Sequence, residues 1–421
     1  MNSESKIEKE NKTSFMSNLV MLMFSQIIIR VMGFVYRLVM MNVEGFGDVG
    51  NGFYNAGFQI YAVLLTISSV GIPTVISKLV AERVSKGDNR GAHRIFRASL
   101  ALFGAVGLAL SIALFVWAQQ IATFVLNIPD VGYILRALAP GIVFVAISAV
   151  LRGYFAGLGS MKAASISQTL EQFFKCVLTI TLIYAFIGND PVIMAAAGNL
   201  ATTLAIVISF SYLFIFYQRR RKGIITNAEA SCETVGKERT GSLVKIILAM
   251  SIPITLGSLV SIINNMIDTV TISHIVQNAY YYMFETRGAL EGEVMRLTGM
   301  LSKVETIIHM PLAITAAFGV ALVPAISSLM AKKKMDEAAK KLSFSFFATI
   351  LIIIPSAVGL AVISGPILRL LYPAAPEGAG LLALTTLTMV FVSLNLVVNG
   401  GLYGLRKSSC SCCFFDNRWI N

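Results

Sequence analysis

Gln26-Ile-Ile-Ile-Arg30-Val-Met-Gly33-Phe-Val-Tyr-Arg37 lies inside the first long apolar run of the chain, residues 15–41. At helical spacing Gln26, Arg30, Gly33 and Arg37 share one face, and Arg30 is too far from either end of the run to reach water easily. Centring an arginine in a bilayer costs at least ~2.5–3.5 kcal/mol, so this face must meet a hydrated cavity or a partner charge. A membrane helix that keeps such a cation points to anionic cargo.

Composition agrees with a membrane setting. Of the 421 residues, 56% are hydrophobic and only 13% charged, and the mean hydropathy is +0.75. That balance excludes an ordinary soluble domain and predicts an all-α, multi-spanning membrane protein. The formal net charge of +12 does not indicate nucleic acid, because the lysines and arginines cluster in short loops between apolar runs. Runs of about 20 residues predict ten spans, at residues 15–41, 53–79, 95–117, 133–158, 163–187, 192–217, 243–276, 301–330, 342–364 and 379–405. The loops at 78–97, 219–245 and 332–341 are basic, whereas 42–52, 119–132 and 188–191 carry few or no cations. Alternate loops therefore place the N-terminus, including the polar tail 1–14, in the cytoplasm.

An internal repeat sets the domain plan. Pro140-Gly-Ile-Val-Phe144-Val145 followed by Gly153-Tyr-Phe-Ala-Gly157-Leu158 echoes Thr388-Met-Val-Phe391-Val392 followed by Gly400-Gly-Leu-Tyr-Gly404-Leu405, 247 residues further on. Upstream, Ile76-Ser77-Lys78-Leu79-Val80-Ala81 echoes Ile326-Ser327-Ser328-Leu329-Met330-Ala331. An even number of helices per unit makes the repeats parallel, related by an axis along the membrane normal. The expected plan is two pseudo-symmetric helical bundles around a central cavity. They are an N-terminal six-helix lobe at 15–217, a basic cytoplasmic linker at 218–242 and a C-terminal lobe of about four helices at 243–405.

The second copy then departs from the first. Where residues 163–187 continue as a helix, residues 406–421 run into a polar tail with Cys410, Cys412 and Cys413. The repeat leads us to expect a truncated or frame-shifted end, with a zinc or palmitoylation site as the alternative. No histidine stands near that group, which argues against metal. Cys176 in an apolar run and Cys232 in a basic loop complete a set that forms no disulfide framework.

Candidate binding residues lie on polar stripes. The first lobe supplies Gln26, Arg30 and Arg37, then Asn55, Gln59, Thr66 and Ser69; the helix opening the second supplies Ser251, Thr255, Ser258, Ser261, Asn265 and Asp268. Arg30, Arg37, Gln26, Asn55, Gln59 and Asn265 are the expected cavity contacts, and Asp268 the expected counter-charge or coupling-ion ligand. Blander roles compete. Arg37 lies near a helix end and can snorkel, and Asp268 can be a fixed arginine partner. Glu171 and Lys175 stand four apart and read first as a structural ion pair. Glu305 and His309 share that spacing, with proton coupling as the sharper alternative. Pro73, Pro253, Pro311 and Pro324 interrupt apolar runs and are candidate hinges. No phosphate-binding loop, His/Glu metal motif or nucleophile elbow is present, so neither an enzyme, a cofactor nor a metal centre is expected.

The chain also resembles a known family. Arg30-Val-Met-Gly33-Phe, Gly71-Ile-Pro73-Thr-Val-Ile-Ser77-Lys78-Leu-Val-Ala-Glu82, Gly153-Tyr-Phe-Ala-Gly157-Leu-Gly159-Ser-Met, Ile166-Ser-Gln168-Thr-Leu-Glu171-Gln172 and Ala321-Leu-Val-Pro324-Ala-Ile-Ser327 resemble the stage V sporulation protein B branch of the polysaccharide-export proteins. These are relatives of the MurJ-type lipid II flippases within the multidrug/oligosaccharidyl-lipid/polysaccharide exporter superfamily. The resemblance implies two lobes around a cavity and alternating access for a lipid-linked, pyrophosphate-bearing sugar in a bacterial cytoplasmic membrane. We further expect a monomer surrounded by membrane lipids, with Na+ or H+ as the candidate coupling ion; the sodium site of some relatives draws on later helices and is not carried over. The resemblance carries a cavity-lining, essential role onto Arg30. The second family arginine falls at Tyr36, one residue before Arg37, so that equivalence does not transfer cleanly. A cation-coupled multidrug exporter is the rival within the superfamily, and a non-transporting scaffold for envelope or sporulation complexes the rival outside it.

Overall fold

The computed structural model describes residues 28–230, 240–331 and 334–405, and among these every regular element is a helix. The first is α1, residues 28–41. It is followed by α2 (Gly47–Ser69), α3 (Ile72–Ser85), α4 (Asn89–Leu126), α5 (Val131–Leu138), α6 (Gly141–Gly157), α7 (Met161–Ala185) and α8 (Pro191–Ala230). Then come α9 (Thr240–Tyr280), α10 (Arg287–Ala331), α11 (Met335–Val362), α12 (Ser364–Leu371) and α13 (Ala379–Gly404). Seven stretches among the described residues are long and apolar enough to cross a membrane. The protein is an all-α, multi-pass membrane protein.

Several expected spans are divided or extended. The span expected at 53–79 is two helices parted at Val70 and Gly71, with Pro73 in the first turn of α3. The span expected at 133–158 is likewise two, parted at Ala139 and Pro140. Proline has no N–H to give an interior helical bond but is well suited to a first turn. At the other candidate hinges the structure differs: α9 runs unbroken through Pro253 and α10 through Pro311 and Pro324. Helix α12, after α11, has no counterpart among the expected spans. Helix α8 continues to Ala230, so the first part of the expected linker is helical. The expectations for residues 1–27, which include Gln26, and for the tail 406–421 lie outside the described residues.

The chain forms two compact units, residues 1–299 and 300–421. This border is later than the one drawn from the repeat, because α9 and the start of α10 pack with the first unit. Gly71 lies so close to α9 that a Cβ there would come 2.8 Å from Thr255 Oγ1. Part of the α9 polar stripe, the Thr255 hydroxyl, thus meets the α2–α3 break, as does the backbone carbonyl of Ser251. A Cβ on Gly52 would come 1.9 Å from the Met295 carbonyl oxygen, and one on Gly299 1.8 Å from that of Asp48. Asn51 Nδ2 donates to the Gly299 carbonyl at 2.8 Å across the same crossing.

The first unit has an apolar core joining α3, α4, α6, α8 and α9, with Ile76, Val80, Phe96, Tyr154, Phe155, Leu213 and Ile247 all buried. Phe96 stacks on Tyr154 with ring centroids 4.4 Å apart. Helix α4 turns Leu108, Ile112, Phe115 and Val116 outward, a face suited to lipid.

Small residues set corresponding crossings in both units. Gly153 and Gly157 of α6 fit against Pro73 and Val80 of α3, whereas Gly400 and Gly404 of α13 fit against Gly319 and Ile326 of α10. In each unit a Gly-x-x-x-Gly stretch lets two backbones approach where lipid supplies no hydrophobic drive for association. The residues that carry the sequence repeat therefore do the same packing work twice.

Candidate functional site

Helices α1, α2 and α7 assemble the cationic part of the first unit. Helix α7 carries Gln168, Glu171, Gln172 and Lys175 along its length and is not among the seven stretches long, apolar and charge-poor enough to stand out as membrane spans. Gly33 of α1 faces Gln172, so the Arg30–Arg37 side of α1 runs beside this polar helix. Arg30 is exposed on α1. Arg37 is half-buried, and its Nε donates to the Tyr36 hydroxyl at 3.5 Å. The ammonium of Lys175 lies 4.5 Å from the Phe58 ring centroid and 5.7 Å from that of Tyr36.

The expected Glu171–Lys175 pair does not form. Glu171 instead accepts a hydrogen bond and ion pair from Arg152 Nη2, on α6. The same guanidinium donates from Nε to Ser167 Oγ at 2.9 Å and from Nη2 to Ser209 Oγ at 3.0 Å. Ser209 Oγ in turn donates to the Ser167 carbonyl at 2.9 Å. An arginine fork holding a carboxylate and two hydroxyls gains more than a lysine turning back along its own helix, where a pair is worth only ~0.2–0.5 kcal/mol. Lys175 is left with aromatic faces. Among the described residues no carboxylate stands within ion-pair reach of it. A cation–π contact at a half-buried lysine contributes ~0.5–2 kcal/mol, short of the ~2.5–3.5 kcal/mol that a lysine near the middle of a membrane helix costs.

The remaining candidates are placed as follows. Asn55 is buried in α2 and Gln59, one turn on, is half-buried. Thr66 and Ser69 close back onto their own helix, donating to the carbonyls of Ala62 and Leu65. Asn265 and Asp268 are exposed on α9. Glu305 and His309 are exposed on α10 within the second unit.

Three features escaped the sequence reading. Arg152 is one, although its place in an apolar run carries the same signal as Arg30. Lys303 is another: it is fully buried in the second unit, donates to the Ala375 carbonyl at 2.7 Å and lies 5.8 Å from the Tyr372 ring centroid. The third is a clasp at the end of α4. Ser273 Oγ and Gln277 Nε2, both on α9, each donate to the Leu126 carbonyl at 2.8 Å. Asn127, in the left-handed region at φ 56°, donates from Nδ2 to Gln277 Oε1 at 2.7 Å. No local spacing announces a bond across about 150 residues.

The model of the polysaccharide biosynthesis protein family matches residues 15–330. The chain belongs to that family. Stage V sporulation protein B of Bacillus subtilis (strain 168) is 27% identical over 364 residues, which cover 86% of this chain and 67% of the relative. Lipid II flippase MurJ of the same organism is 24% identical over 399 residues, covering 90% of this chain and 71% of that protein. Among solved structures, an inward-facing multidrug resistance MATE family transporter of the MOP superfamily matches with TM-score 0.69 at 14% identity. That match covers 89% of this chain and 82% of the other. The inward closed conformation of lipid II flippase MurJ matches with TM-score 0.65 at 14% identity, over 92% of this chain and 76% of the other. These structural likenesses establish a MATE/MurJ-like fold for this family member.

Proposed function

We propose that this protein is a flippase that carries a lipid-linked, undecaprenyl-diphosphate-type cell-wall or polysaccharide precursor across the bacterial cytoplasmic membrane by alternating access. The observation that carries the reading is Arg30, a cation in an apolar helix beside the polar face of α7. A cation there favours an anionic headgroup and disfavours the cationic drugs that a carboxylate-lined multidrug pump would take. Arg30 and Arg37 would contact the diphosphate, with Asn55, Gln59 and Asn265 hydrating the path. Asp268, Glu305 and His309 would serve coupling to Na+ or H+. The N-terminus would be cytoplasmic and the working unit a monomer. The work is transport, without catalysis, and the membrane potential supplies about 2.3 kcal/mol per elementary charge per 100 mV to an anionic cargo.

The test is complementation of a bacterial strain depleted of its lipid II flippase. The chain should restore growth and Arg30→Ala should not, at matched membrane levels. Failure of the well-expressed parent to rescue, together with a gain in drug resistance, would move the cargo to the multidrug class. Rescue by Arg30→Ala would favour a scaffolding role.

A further inference from the structure

The polar face of α7 contains an apparent redundancy: a glutamate and a lysine at the spacing that normally neutralises both, with an arginine from another helix taking the glutamate. Arg152 binds Glu171 and is steadied by Ser167 and Ser209. Lys175, one turn further along α7, places its ammonium over Phe58 and Tyr36 without a carboxylate in reach among the described residues. We infer that Lys175 is a diphosphate-binding cation and that Arg152 is a positioning residue, holding Glu171 away so that the ammonium stays free for the anion.

This inference rests on the flippase reading and deepens it, since it names a contact for the headgroup outside α1. Three observations support it. Lys175 is half-buried, not enclosed, which leaves the side chain open to an anion. The rings beneath it hold the ammonium without supplying a carboxylate, and no carboxylate among the described residues is within ion-pair reach. Tyr36 also receives the Arg37 Nε, so the segment that follows Arg30 on α1 meets Lys175 at one aromatic side chain. A diphosphate, which carries several acceptor oxygens and more than one negative charge, suits cations delivered from two helices better than a single carboxylate does.

The local charge makes a sharp test. Arg152, Glu171 and Lys175 together carry one positive charge. Arg152→Gln releases Glu171 to pair with Lys175 and brings the sum to zero. Arg152→Gln combined with Glu171→Gln brings it back to one. Binding of undecaprenyl diphosphate to the purified chain in nanodiscs would be measured by intrinsic fluorescence, with inorganic pyrophosphate as the lipid-free probe. Lys175→Gln and Arg152→Gln should each weaken binding at least ~10-fold, and the double variant should recover to within ~3-fold of the parent. Lys175→Arg should bind as the parent does. Tighter binding of the lipid than of inorganic pyrophosphate would assign the headgroup, not a free anion, as the ligand.

A merely structural network predicts the opposite, with the double variant as weak as Arg152→Gln or weaker. That result overturns the positioning role, and parent-like binding by a folded Lys175→Gln variant overturns the cation's role. In both cases a parent that binds undecaprenyl diphosphate leaves the flippase reading intact. A parent that binds neither probe would remove that reading and this inference together.

Discussion

Gly299 shows how much a single hydrogen atom decides in this protein. Its Cα passes the Asp48 carbonyl with no room for a methyl group, and Gly52 meets Met295 in the same way from the other helix. Backbone atoms cannot swing aside as a side chain can, so Gly299→Ala must push α2 and α10 apart. Overpacking of this kind costs at least ~1–3 kcal/mol, and we expect a lower Tm in detergent, followed by tryptophan fluorescence. An unchanged Tm would show that the two helices do not cross so closely. Arg30 was legible in the sequence because a cation in an apolar run is conspicuous wherever it occurs. Glu171 and Lys175 were legible as charged residues but not as partners, since a nearby spacing says nothing about a competitor folded in from another helix.

Helix α4 is held at both ends by different chemistry. At its start Asp88 accepts from the Gly91 N–H at 2.7 Å and pairs with Arg83 at 3.3 Å. This local N-cap is the kind of signal a sequence displays. At its end the Leu126 carbonyl is satisfied by Ser273 and Gln277 of α9. Gln277→Ala would leave the Asn127 amide without its acceptor and Leu126 with one donor fewer. Loss of a buried partner costs ~1–3 kcal/mol, and the backbone amides of residues 123–127 should exchange hydrogen faster than in the parent. Protection equal to the parent would mean that the clasp does not hold α4. The divided spans follow a related logic: Pro73 and Pro140 end up at helix starts, whereas Pro253 and Pro311 stay inside helices. Proline marks both places identically in a sequence, and only the packing of neighbouring helices around the freed backbone separates them.

For the molecule as a whole, the basic loops make one prediction about orientation. With its native cysteines replaced by serine, the chain carrying Asn189→Cys should react with a membrane-impermeant maleimide in intact cells. Ser85→Cys should react only after permeabilisation. The reverse pattern would put the N-terminus outside. Hydropathy by itself determined an all-α multi-pass protein, while loop charge and the repeat led us to expect ten apolar spans in two related halves. These are properties of the chain's own composition and spacing, imposed by a solvent that cannot hydrogen-bond a bare backbone. Tertiary structure alone decided that the first compact unit extends to Gly299, that Arg152 takes Glu171 from Lys175 and that α9 caps α4. Each of those outcomes depends on which of several adequate partners is nearest in space, and contacts across tens to hundreds of residues leave no periodic trace in the sequence.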